Sequence, residues 1–245
     1  MSASTSPSSP TARRIDLNAD LGEGVTDDAG LLAVVTSANV ACGFHAGDAG
    51  VMRAVCEGAA AHGVTVGAQV SYRDREGFGR RPMEVDARVL EDWVAEQVAA
   101  LSSVAREAGT DVTYLKPHGA LYHRVADDEL QAAAVLRGSG DLPVLGMPGS
   151  VLLRLAAEQG REVVPEGFPD RGYTPTGRLV PRDQPGALVE DPERIAANAV
   201  ALAAAGSVRT VCVHGDSPGA VHAARAVRIA LAGAGFAVVS WHRVD

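Results

Sequence analysis

Lys116 is the only lysine in a 245-residue chain whose Lys and Arg together number 22, so every other basic residue is Arg. It stands directly ahead of Pro117-His118-Gly119. A chain that uses Arg elsewhere and keeps one Lys at such a turn points to a place that needs a compact ammonium, which a broad planar guanidinium does not replace. Other chemistry-bearing residues are grouped in the same way. In the stretch from Ile15 to Glu23, Asp16, Asn18 and Asp20 alternate with apolar residues and therefore share one face of an extended strand. Buried together they carry a desolvation cost unless they bind one another, a substrate or an ion, so structural hydrogen bonding and a site are both open for Asp16 and Asn18. Asn39 lies in the next β-rich run, with His45 just beyond its end and Asp48 placed either for the site or as a helix cap. Lys116 and His118 follow, then Glu166 with Asp170 and Arg171, Arg182 further along, and finally His214 with Asp216. Carboxylates, imidazoles and one ammonium in such clusters suit proton transfer and the stabilisation of developing negative charge near neutral pH. His62, His123, His222 and His242 occur in helical or terminal contexts and read as structural.

These clusters need a scaffold that brings them to one place. Short β-rich runs recur at 15–18, 38–42, 64–70, 112–116, 144–147, 163–166, 210–214 and 236–241, about eight strands by run and punctuation. Ala-rich helical patterns lie between them, clearest at 86–108, 192–205 and 218–232. Alternation of this kind implies parallel strands with helices outside. Polar residues follow many different strands and do not gather at one crossover, which favours an α/β fold of the (β/α) barrel type, with seven or eight units, over a doubly wound open sheet. Residues 1–12 read as a disordered Ser/Thr/Pro-rich tail and 13–245 as a single barrel domain. Two connections, 71–83 and 167–191, are far longer than the roughly 4–6 residues typical of such links and read as binding loops or covers.

Composition narrows the function. With 47% hydrophobic and 21% charged residues and a net charge of -8, the chain has material for a large core and no basic surface for nucleic acid or an anionic membrane. No apolar run approaches the ~18 residues of a membrane span. Cys42, Cys56 and Cys212 show no CxxC spacing, which suits a reducing cytoplasm. Neither GxxxxGK[ST] nor GxGxxG occurs, so no phosphate-binding loop is recognisable.

The strings IDLNADLGEG, SANVACGFHAGD, DREGFGRR, LKPHGALY, EGFPDRGYTPTGRLVPR and VCVHGDSPGAV resemble the LamB/YcsF family, the A components of 5-oxoprolinase, from Arg14 onward. The resemblance implies a barrel of the glycoside hydrolase/deacetylase type and ATP-dependent opening of 5-oxoproline to L-glutamate, carried out with two further subunits, B and C. ATP is then handled with those partners. For such a lactam, Lys116 is the candidate for stabilising charge on the carbonyl oxygen, and Asp20 or Glu166 for orienting or deprotonating water. His45, His118 and His214 are candidates for proton transfer, Arg171 or Arg182 for holding the substrate carboxylate, and Asn18, Asn39, Asp170 and Asp216 for further substrate contacts. Related barrel deacetylases bind a metal through one Asp and two His, which map here onto Asp20, His45 and position 69. Gln69 is a poor ligand for a zinc-like ion, so no metal is expected. Rival readings are a metal-dependent deacetylase or amidohydrolase and a noncatalytic protein that only binds the substrate for its partners.

Overall fold

Along each strand of this chain apolar residues recur at every second position, so one row of side chains packs beneath helices while the other turns inward. The computed structural model describes residues 12–25, 27–215 and 219–242. In order they form β1 (Arg13–Leu21), α1 (Asp28–Leu32), β2 (Ser37–Ala41), α2 (Ala49–His62), β3 (Thr65–Val70), α3 (Ala87–Glu107), β4 (Val112–Pro117), α4 (Gly119–Asp127), α5 (Glu129–Gly138), β5 (Val144–Gly146), α6 (Val151–Glu158), β6 (Val163–Gly167), α7 (Pro192–Ala205), β7 (Thr210–Val213), α8 (Ala220–Gly233) and β8 (Phe236–Val238). Neighbouring strands pair in parallel from β2 through β7, and β1 pairs with both β7 and β2, which closes a seven-stranded barrel. The eighth strand stays outside the ring. It pairs with Arg13, Arg14 and Ile15 of β1, just ahead of Asp16, where β7 takes over the pairing. The expected barrel of seven or eight units is therefore seven strands closed and one laid alongside.

Ile15, Leu17, Ala19 and Leu21 enter the apolar shell between barrel and helices, whereas Asp16, Asn18 and Asp20 are buried on the inner side. The same division holds for Ala38 and Val40 against Ser37 and Asn39, and for Val211 and Val213 against Thr210 and Cys212. Toward the strands' N-terminal ends the barrel is filled by Tyr114, Leu145 and Val164, with Trp241 packed against them. Gly67 makes room for that filling, since a Cβ there would lie 2.1 Å from the Tyr114 ring. The Tyr114 hydroxyl donates to Asn39 Oδ1 at 2.7 Å, joining the apolar filling to the polar layer above it. Toward the C-terminal ends a second group, Tyr122, Met147, Phe168, Leu179 and Cys212, borders the mouth.

Asp48 caps α2, accepting from Val51 N at 2.9 Å, and Gly63 ends that helix at φ 63°. The connection 167–191 is tied by two antiparallel bridges, Arg171 to Leu188 and Tyr173 to Leu179. The expected tail lies outside the described residues apart from residue 12. Among the described residues no helix is long and apolar enough to cross a membrane.

Candidate active site

The inner face of the barrel supplies a hydrogen-bonded floor. Asp16 accepts from the hydroxyls of Thr36, Ser37 and Thr210, and burial pushes its carboxyl up to about 6. One layer nearer the mouth, Asn18 Nδ2 donates to Glu166 Oε1 at 3.0 Å and to Thr210 Oγ1 at 2.6 Å. Asn39 Nδ2 donates to Asn18 Oδ1 at 2.7 Å and to Asp20 Oδ1 at 2.8 Å. These residues come from four strands and fix one another, so the groups above them are held without room to shift.

The Lys116 ammonium lies on that floor, 2.9 Å from Asp20 Oδ1, 3.0 Å from Glu166 Oε1 and 3.1 Å from Cys212 Sγ. Lys116 is 3% exposed, Asp20 4% and Glu166 1%, so the pairing takes place out of water. Burial alone opposes each of these charges. For Lys116, the Asp20 carboxylate, with Cys212 and Glu166, outweighs burial and holds the ammonium well above its ordinary pKa. For Asp20 burial is likewise outweighed, first by Lys116, and its carboxyl stays below the usual carboxylate range. Burial wins at Glu166, whose pKa is raised despite the nearby ammonium. The centre thus offers a firm ammonium, a firm carboxylate and a second carboxyl that takes up a proton more readily, with Glu166 Oε2 making no hydrogen bond. The compact cation expected from the isolation of Lys116 sits among three acceptors, as such a group requires.

A cavity of about 450 Å³ opens above, with Asp20, Lys116, His118, His214, Arg171 and Arg182 on its wall. Tyr122 and Phe168 add apolar surface, and the Lys116 ammonium stands 5.3 Å from the Phe168 ring centroid. His214 stacks on Phe168 with centroids 5.2 Å apart, and its Nδ1 is 2.9 Å from Asp170 Oδ2, which also accepts from His214 N at 2.9 Å. Burial works against the His214 imidazolium, but Asp170 outweighs it and raises the pKa. The Asp170 carboxyl is lowered in turn, burial being overcome by His214.

Several residues taken from the sequence as substrate contacts have a different place. Asn18 and Asn39 lie beneath the cavity floor, because their amides are engaged in holding Asp20 and Glu166. Asp170 stands behind His214 and does not line this cavity, but it borders a neighbouring one together with His214 and Arg182. Glu166 is off the cavity wall as well, one step deeper than Lys116. Arg171 reaches the wall, yet it donates to the carbonyls of Ala187 at 3.0 Å and Val180 at 2.7 Å and so braces the connection 167–191. Arg182 is half-buried at the cavity edge. Asp216 lies outside the described residues. His123, read as structural, borders the cavity.

A second group lies beside the first. His45 is buried and stacks on His118, ring centroids 3.9 Å apart and planes 13° apart. His118 Nε2 donates to the carbonyl of Phe78 at 3.0 Å, and its Nδ1 is 3.0 Å from Gln69 Nε2. Burial first and His45 second hold the His118 pKa well below that of a free imidazole, so the ring is neutral. Glu23, which the sequence does not single out, faces both rings at 3.6 Å from His45 Nε2 and 3.5 Å from His118 Nδ1. The metal set that the resemblance implied does not fit: Asp20 is committed to Lys116 and Asn39, and Gln69 bonds to Glu23 and His118.

The comparisons with known proteins cover nearly the whole chain. The model of the LamB/YcsF family matches residues 15–245. A protein of Streptomyces avermitilis named as the A component of 5-oxoprolinase is 54% identical over 93% of this chain and 99% of its own length. One of the same name from Mycobacterium avium is 52% identical over 90% of this chain and 96% of its own. The crystal structure of the lactam utilization protein from Thermus thermophilus superimposes with a TM-score of 0.86 at 37% identity, covering 93% of this chain and all of the other. A peptidoglycan deacetylase from Bacillus subtilis shares the fold alone, with a TM-score of 0.54 at 13% identity over 96% of this chain and 90% of its own. On the family match and these relatives, the chain belongs to the LamB/YcsF family.

Proposed function

We propose that this chain is the A component of an ATP-dependent 5-oxoprolinase, a hydrolase that opens the cyclic amide of 5-oxoproline to L-glutamate together with subunits B and C in the cytoplasm. The observation that carries the reading is the buried Lys116–Asp20 pair on the floor of a cavity sized for a small ligand. The names of the Streptomyces and Mycobacterium relatives and of the Thermus structure support the choice of a lactam as substrate.

An amide resists water, so its carbonyl must be activated. Of the three acceptors around the Lys116 ammonium, the Cys212 sulfur is the weakest, and the lactam oxygen takes its place. Transfer of the γ-phosphoryl group of ATP to that oxygen makes the ring carbon electrophilic. A water oxygen, oriented by the Asp20 carboxylate, then adds to this carbon and releases a proton to solvent. The ring C–N bond breaks as the nitrogen takes a proton from the His214 imidazolium and the new hydroxyl loses its proton to solvent, which leaves an acyl phosphate. A second water hydrolyses it to the carboxylate and phosphate. Asp170 keeps His214 charged and oriented, while Glu166, Asn18 and Asn39 hold Lys116 and Asp20 in place. Arg182 at the cavity edge pairs with the substrate carboxylate. The nucleotide enters with the partner subunits, in keeping with a sequence that lacks a phosphate-binding loop of its own.

The test is ATP-dependent glutamate release from 5-oxoproline, measured with the chain alone and with candidate B and C subunits. Turnover is expected from the full set and little from the chain alone. In the full set, Asp20→Asn should lower kcat by ~10²–10³-fold, the range for removing one preorganised electrostatic partner. An inactive full set, or an Asp20→Asn variant with parental kcat, overturns the reading.

A further inference from the structure

Among the described residues seven buried polar atoms make no hydrogen bond. Four belong to His45, Gln69 and Ser71, and one, Trp241 Nε1, to the apolar filling toward the N-terminal ends of the strands. The other two, Tyr122 Oη and Glu166 Oε2, belong to side chains of the Lys116 centre. Glu166 is held there by its other oxygen, whereas Tyr122 has no polar attachment at all through its side chain. Buried hydroxyls are nearly always satisfied, so one left open on a cavity wall calls for a ligand.

The ring of Tyr122 is held firmly. It stands in the first turn of α4, which follows Lys116 by way of Pro117 and His118. Gly119 permits that sharp start, with φ 59° and a carbonyl oxygen of Gly79 only 2.4 Å from where a Cβ would lie. Ala120 N donates to the same Gly79 oxygen at 2.9 Å. Phe168 meets Tyr122 edge-on, with centroids 5.5 Å apart and planes at 86°, and stacks on His214 as well. Tyr122 is 6% exposed and packs with Met147, Phe168, Leu179 and Cys212. That packing needs only the ring. A Phe would fill the place without leaving a hydroxyl desolvated.

The hydroxyl is turned toward the reacting centre. Burial first, and Glu166 second, push its pKa well above that of a free phenol, while Lys116 acts in the opposite sense. Tyr122 therefore keeps its proton and is a neutral donor beside the ammonium.

We propose that Tyr122 is a further catalytic residue, whose hydroxyl donates a hydrogen bond to a phosphoryl oxygen of the phosphorylated lactam at Lys116. This role rests on the lactam reading given above. The lactam oxygen that replaces Cys212 beside Lys116 turns one lone pair to the ammonium and uses the other to attack phosphorus, so it has none left for Tyr122. The phosphoryl group that arrives there is an anion next to Asp20 and Glu166, and it needs donors. Tyr122 supplies one without adding a charge to the Lys116, Asp20 and Glu166 balance, and it gives up no proton. Phosphoryl transfer is accelerated chiefly by positioned donors on the oxygens that carry the charge. A bond made only once the phosphoryl group is present raises turnover and leaves binding of the resting substrate unaffected.

The test is Tyr122→Phe in the full set with B and C subunits, ATP and 5-oxoproline, together with a thermal melt of the chain. Loss of one preorganised donor should lower kcat by ~10²–10³-fold. KM for 5-oxoproline should stay within about twofold of the parental value, as for an interaction absent from the ground state. Tm should be parental or higher, because the variant removes a buried hydroxyl that bonds to nothing. A Tm clearly below the parent makes the hydroxyl part of the fold and overturns its catalytic role. Parental kcat with an intact melt overturns it too, leaving the ring as packing. A raised KM at parental kcat would place the hydroxyl on the resting substrate and exclude the phosphoryl contact. An inactive parental set overturns the lactam reading and the role of Tyr122 with it, whereas each of the other adverse results, obtained with an active parental set, overturns the role of Tyr122 alone.

Discussion

Two polar clusters lie side by side at the mouth of the barrel, and they are built on different principles. The Lys116–Asp20–Glu166 centre stands on strand residues, its charges face one another within about 3 Å, and a network from neighbouring strands satisfies nearly all its polar atoms. The Glu23–His45–His118 group stands on loops and a helix start, is equally buried, and leaves imidazole nitrogens without hydrogen bonds. The first leaves only Glu166 Oε2 without a hydrogen bond. The second is closely packed, by ring stacking and by Gly79, around atoms that still need a partner. Burial alone therefore does not tell the two clusters apart; the count of satisfied donors and acceptors does.

The largest expected effect breaks the balance of the first cluster. Lys116→Met leaves Asp20 buried without its cation and should cost about 3–5 kcal/mol, the range for removing one partner of a buried pair. The double variant Lys116→Met with Asp20→Asn removes both charges and should recover most of that loss, while activity stays absent in both. Urea denaturation of the parent, the two single variants and the double variant gives the coupling directly. Additive losses would mean that the pair is not the unit described. Lys116→Arg should lower turnover by ~100-fold through misplacement of reacting atoms. It should also cost about 1–3 kcal/mol, since a longer, broader head must enter a site with 3% exposure.

A smaller effect distinguishes His214 from the neutral His118. Burial opposes the His214 imidazolium, but Asp170 raises its pKa, so the stabilising pair is fully present below the unfolded value near 6.5 and is lost as pH rises through the higher folded value. Stability should therefore decline between the unfolded and the folded value and level off above the latter. Asp170→Asn removes the largest cause that raises the pKa and leaves only Asp20 against burial, so His214 should titrate lower in an NMR titration and the decline should flatten. An unchanged titration of His214 in that variant would detach it from Asp170.

The sequence made the strand-borne cluster far easier to see than the loop-borne one. Asp16, Asn18 and Asp20 alternate with apolar residues, and that period of two exposes both the strand and the face it turns inward. Lys116 was marked by rarity in composition. The helix boundaries followed from their caps, Pro192 to Ala205 most closely. Glu23 carries no such signal, because past Leu21 the chain leaves the strand and periodicity ends. Its nearness to His45 and His118 depends on barrel closure, which joins the exits of strands distant in sequence. The depth of Glu166 behind Lys116, and the position of Asn18 and Asn39 beneath the floor, depend on the register between strands, which composition and spacing do not specify. The eighth strand was legible as a strand, but its place beside β1 rather than in the ring was not.

The smallest expected effect comes from Asp48, three residues beyond His45, and it sharpens the comparison because it should touch neither cluster. The sequence left open whether this carboxylate belongs to the site or caps a helix. Its side chain accepts from Val51 N at 2.9 Å at the start of α2 and is exposed. Removing a cap of this kind costs about 0.5–2 kcal/mol, typically near 1, because an amide at the helix start loses its acceptor. For a protein of this size that lowers Tm by roughly 2–4 °C. Asp48→Ala should thus melt slightly earlier than the parent, with unchanged kcat and KM in the full-set assay. Asp48→Asn, which keeps the side-chain oxygen that accepts the bond, should restore the melting temperature. If Asp48→Ala instead lowers kcat while its Tm stays parental, the carboxylate acts in the site, and the boundary drawn between the loop-borne cluster and the helix behind it is misplaced.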